Sequence, residues 1–136
     1  MTSPVALRRL TETREGRLTV IVVVGGTLLV AVSFANVWMA NAIDDEADRV
    51  RAALRRELVR VDDAELAEYP GSAERIERLA ADAVEDRAAH VVGSERPDGD
   101  EVVVAVDVAL GWQNRCVEAE LRGNATVLTE RSAGPC

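Results

Sequence analysis

The chain has no lysine: all 16 of its basic residues are arginine. With abundant Ala, Val, Asp and Glu, that bias points to a GC-rich bacterial coding sequence. Histidine occurs once, as His90 in "AAHVV", where a partly buried structural role fits better than a catalytic base. No GxSxG, Walker, HExxH or CxxC pattern occurs, and the serines and threonines have no base nearby. These absences argue against an enzyme and against a bound cofactor. The densest acidic cluster, "DDEAD" at Asp44 to Asp48, lacks the glycine and the distal glutamate of a calcium loop, so no metal site is expected there.

Charge is also missing where it matters most. Between Arg17 and Asp44 no residue is ionisable, so Leu18 to Ile43 form an uncharged run of 26 residues. At about 1.5 Å per helical residue the run spans roughly 39 Å, against about 30 Å of bilayer hydrocarbon. A helix buried in a soluble core needs a polar face somewhere, and this run offers none. A cleaved secretion signal is the competing reading. Arg8, Arg9, Arg14 and Arg17 make a basic leader, and "ANA" at Ala40 to Ala42 has small residues at the spacing of a cleavage site. The run is much longer than the usual signal core of about 7–15 residues, which favours a permanent anchor.

The flanks give an orientation. Residues 1–17 form a basic tail with four arginines against Glu12 and Glu15, whereas Asp44, Asp45, Glu46 and Asp48 follow the run. The positive-inside rule keeps this tail in the cytoplasm, makes 18–43 the transmembrane helix and exports 44–136. Trp38 stands near the outer end, where an indole suits the headgroup region. Both cysteines, Cys116 and Cys136, then lie in an oxidising compartment and are expected to pair. The bond would close a loop of about 20 residues, worth on the order of 3 kcal/mol in the chain-entropy account.

The exported part holds 22 acidic residues and 12 arginines, a net of −10. That balance argues against nucleic acid as a partner and against lying flat on an anionic membrane. Its acids alternate with arginines at helical spacing, as on a solvated face.

Periodicity predicts an α+β fold in which two helices cover one face of a three-stranded antiparallel sheet. Ala47, Val50, Leu54, Leu58 and Val61 make one apolar stripe, so the membrane helix is expected to continue as a helical stalk over about 44–68. "YPGS" at Tyr69 to Ser72 ends it, with Ser72 as N-cap of a second helix over about 73–91. "GSERPDGD" at Gly93 to Asp100 reads as a linker. Beyond it the period falls to 2, predicting strands over about 101–110, 114–122 and 125–130 in a three-stranded antiparallel meander. "RGNA" at Arg122 to Ala125 reads as a tight hairpin turn, and its "NAT" as a turn asparagine rather than a glycosylation site.

Two groups of residues are candidate contacts. Thr27, Ala31 and Ala35 recur at four-residue steps in the membrane run, with Asn36 beside them. Small residues at that spacing let helices approach closely, which points to a homodimer through this face. Trp112, Gln113 and Asn114 in "GWQN" present an indole and two amides, either to an envelope protein partner or, for the indole, back onto the core.

The expected function is therefore a non-catalytic interaction or accessory module, tethered to the cell membrane and held outside the cytoplasm in the bacterial envelope. A charged "REGR" before an apolar helix also resembles the N-termini of type IV pilins, which are cleaved after a glycine and carry glutamate five residues on. Gly16 matches the glycine, but Arg17 follows and the fifth position is Ile21. That resemblance implies a filament subunit that loses its first 16 residues.

Overall fold

The computed structural model describes residues 14–97, 99–123 and 125–136, and they divide into two compact units between Trp38 and Met39. Its elements are α1 (Arg14–Leu58), α2 (Asp63–Ala67), α3 (Ala73–Val84), β1 (Ala89–Glu95), β2 (Val102–Leu110), β3 (Gln113–Arg122) and β4 (Ala125–Ala133).

The first unit is the apolar part of α1. Its large side chains, among them Leu29, Phe34 and Val37, are exposed, and α1 is long and apolar enough to cross a membrane. The hydroxyls of Thr19 and Thr27 donate back to the carbonyls of Glu15 and Val23, at 3.0 and 2.8 Å. Such bonds satisfy a hydroxyl where water is absent. Residues 1–13 of the expected basic tail lie outside the described residues.

The second unit, from Met39 onward, is an antiparallel sheet in the order β1-β2-β3-β4 with helices on one face. The expected meander is there as β2, β3 and β4, paired Val102↔Leu121 through Leu110↔Gln113 and Leu121↔Thr126 through Arg122↔Ala125. Val102, Val104, Val106 and Val108 are fully buried beside Val117, Ala119 and Leu121, which makes this the core face. Gly111 and Trp112 form a two-residue loop between β2 and β3, and positive φ at Gly111 and at Gly123 suits the tight reversals after β2 and β3. Asn124, of the expected turn and sequon, lies outside the described residues.

Three expectations need correcting. The stripe on α1 covers the sheet as expected, with Ile43, Ala47, Val50, Leu54 and Leu58 all 0% exposed in the core, but its extent differs. The helix stops at Leu58, and residues up to Glu68 form a turn and the short α2. Asp62 causes the break. Its carboxylate accepts from the Glu65 N–H at 2.8 Å while its own N–H donates to Glu65 Oε2 at 3.2 Å, a reciprocal capping box.

Next, the second helix ends at Val84, and Ala89–Glu95 form a fourth strand, so the sheet has four strands rather than three. Glu85 and Asp86 follow a helix whose last turn carries no base, which suits a helix C-terminus poorly. Pairing with β2, as in Val91↔Val106, instead supplies ladder partners to backbone that would otherwise be a bare edge. The expected linker at Gly93 is thus partly strand, with a bulge between Val91 and Gly93. Finally, Ser72 does not cap α3 with its side chain; its hydroxyl donates to the Glu65 carbonyl at 2.5 Å and ties α3 to α2.

Candidate functional site

An antiparallel sheet with helices on one face leaves its reverse face for other uses. On that face β1 places His90 opposite Asp107 of β2, and Asp107 stands opposite Cys116 of β3. Ala105↔Glu118 and Val103↔Glu120 extend the same face, and Glu95 lies opposite Val103. Cys116 is bonded to Cys136, with 4.9 Å between the Cα atoms. The Gly134 N–H donates to the Asn114 carbonyl at 3.2 Å, so residues 134–136 are held to β3 at two points. Val92, Gly93, Glu95, Ala105, Glu118 and Cys136 line a shallow hollow of about 230 Å³ there. Asp107 is 8% exposed, and its Oδ1 has no hydrogen-bond partner among the described residues. This face is acidic and partly roofed by the disulfide.

A second hollow, of about 300 Å³, lies between α2 and the two loops that precede β2 and β4, lined by Asp63, Leu66, Ala67, Arg96, Asp100 and Gly123. Arg96 donates to the Leu66 carbonyl and lies 5.3 Å from the Tyr69 ring centroid, a cation–π distance. Ser94 donates to Glu77 Oε1 at 2.5 Å, leaving its oxygen 3.4 Å from the Tyr69 hydroxyl to accept from it. These polar groups bind α2, α3 and β1 to one another. Beside this hollow Arg122 pairs with Glu101, whose hydrogen bond and charge hold the guanidinium pKa above its ordinary value. Among the described residues that line either hollow, no nucleophile sits against a base. Among the described residues no group of three His, Cys, Asp or Glu is arranged to hold a metal ion.

The expected contact residues fall in different places. Thr27, Ala31 and Ala35 follow one side of α1, and the Thr27 hydroxyl is engaged by its own helix. Trp112 is the second residue of the β2–β3 loop and is 63% exposed, so it does not fold back onto the core. Gln113 and Asn114 are the first two residues of β3. What the sequence reading missed is the environment of that hairpin. A Cβ at Gly111 would stand 3.1 Å from Met39 Cε, and Arg115 Nε donates to Asp44 Oδ1 at 3.0 Å. The pairings span 72 and 71 positions, and no local pattern announces them.

No family model, curated protein or solved structure matches the chain.

Proposed function

We propose that this chain is a single-pass membrane protein of the bacterial envelope, with its N-terminus in the cytoplasm and residues 44–136 outside it. The domain is a non-catalytic interaction or accessory module. One observation carries this reading: the large apolar side chains of α1 from Ile21 to Trp38 are exposed, while the same helix goes on to form part of the core of a disulfide-closed domain. Exposed apolar surface on that scale needs lipid or protein around it. A disulfide fits a compartment outside the cytoplasm, and the arginines of the tail set the orientation.

The lipid bilayer is one partner. An envelope protein is the other, with the acidic reverse face of the sheet, unused by the core, as the surface offered to it. A homodimer through Thr27, Ala31, Ala35 and Asn36 is compatible with that arrangement, since small residues let two such helices approach.

Protease added to intact spheroplasts tests the topology. The domain should be digested there, while a tag on the N-terminus survives until the membrane is opened. Survival of the domain and loss of the tag would reverse the orientation.

A further inference from the structure

The β2–β3 hairpin touches α1 where the uncharged run ends, at Met39 and Asp44. Met39 lies within the uncharged run, five residues before Asp44, and in a helix five residues rise about 7.5 Å. The run exceeds the hydrocarbon thickness by roughly 9 Å, which leaves about one helical turn at each end for the headgroup layer. Met39 therefore stands close to the boundary between hydrocarbon and headgroups.

Gly111 packs directly against Met39, so the Gly111–Trp112 loop stands at the same level. Further along, Arg115 is 13% exposed and pairs with Asp44, the first acid after the run. From Trp112 to Arg115 a strand advances about 10 Å, much as α1 does from Met39 to Asp44. Two contacts thus show helix and strand leaving that level together.

We propose that the Gly111–Trp112 loop is a second membrane contact, with the Trp112 indole in the headgroup layer of the outer leaflet. The inference rests on the anchor reading above. An indole with 63% of its surface exposed suits that layer, being apolar in body and polar at its N–H. Gly111, with φ +60° and Met39 Sδ and Cε on its side of the backbone, lets the loop seat against the helix. Attraction of a net-negative domain to anionic lipid is not required, because the contact is one side chain at a loop tip.

The chain contains two tryptophans, Trp38 and Trp112, so each can be observed alone. Full-length W38F and W112F are reconstituted in phosphatidylcholine vesicles with and without chain-brominated phosphatidylcholine. Formation of the Cys116–Cys136 bond is checked in each by intact mass. In W38F, emission from Trp112 should be shifted to the blue, lost to brominated lipid and little affected by acrylamide in the water.

Red-shifted emission that acrylamide removes and brominated lipid does not would overturn the proposal. In that case quenching of Trp38 in W112F by brominated lipid would leave the anchor standing. If brominated lipid quenches neither tryptophan, the anchor reading fails and this one with it.

Discussion

Replacing Leu54 with alanine removes a fully buried side chain from the face of α1 that packs on the sheet. Truncations of this kind cost about 2–5 kcal/mol, from the lost transfer energy and the cavity left behind. Leu54 sits in the middle of the buried row, between Val50 and Leu58, with Val102, Val104, Val106 and Val108 in the same cluster. Those neighbours are held by ladder pairing and have little room to collapse, so a loss of roughly 3 kcal/mol is expected. For a domain near 100 residues, 1 kcal/mol moves Tm by about 4–8 °C, which makes the shift roughly 15 °C.

The assay is thermal unfolding of the full-length chain in nanodiscs, followed by circular dichroism of the sheet. Val59→Ala is the control: Val59 lies one residue beyond α1 and is exposed, so its loss should stay within about 0.5 kcal/mol. Were residues 44–58 a free stalk, L54A would be neutral or slightly stabilising, because alanine is the best helix former. A Tm unchanged from wild type would therefore refute the packing described here.

Loss of the disulfide in C116S, or by reduction, should lower domain stability by about 3 kcal/mol, read as a urea midpoint lower for the variant and for the reduced chain than for the oxidised wild type. Asp62→Ala removes the box that starts α2 and should cost about 1 kcal/mol in the same titration, whereas Asp82→Ala on the exposed side of α3 should cost little. Gly111→Val should lower Tm by several degrees, because a β-branched residue at φ +60° is strained and its Cβ meets Met39.

The two periods in the sequence carried most of the architecture. Alternation over Val102 to Leu110 placed the core face of β2, and the four- and three-residue steps from Ala47 to Leu58 placed the buried row of α1. The stripe suited a helix covering the sheet, and Val50, Leu54 and Leu58 lie in one core with the sheet valines. The break after Leu58 did have a local signal, the Asp62–Glu65 capping box, which a stripe continuing through Val61 concealed. For β1 the signal was weak. Ala88 to Val92 satisfy helical and alternating patterns about equally, and the choice is made by the edge of β2, some 15 residues further along. Of the candidate contacts, Trp112 was visible as a residue type but its level on the molecule was not. Its position follows from Met39 against Gly111 and Asp44 against Arg115, pairings that exist only once the sheet has formed.

An anchored domain closed by a disulfide makes a joint demand on one observable, the intact mass of the chain recovered without reductant from carbonate-washed membranes. The chain should keep residues 14–43 and be two hydrogens lighter than its reduced form. A mass beginning near Ile43, found in the soluble fraction, would make the apolar run a cleaved signal; one beginning at Arg17 would favour processing as in pilins. Two free thiols on a membrane-bound chain would contradict the export of the domain.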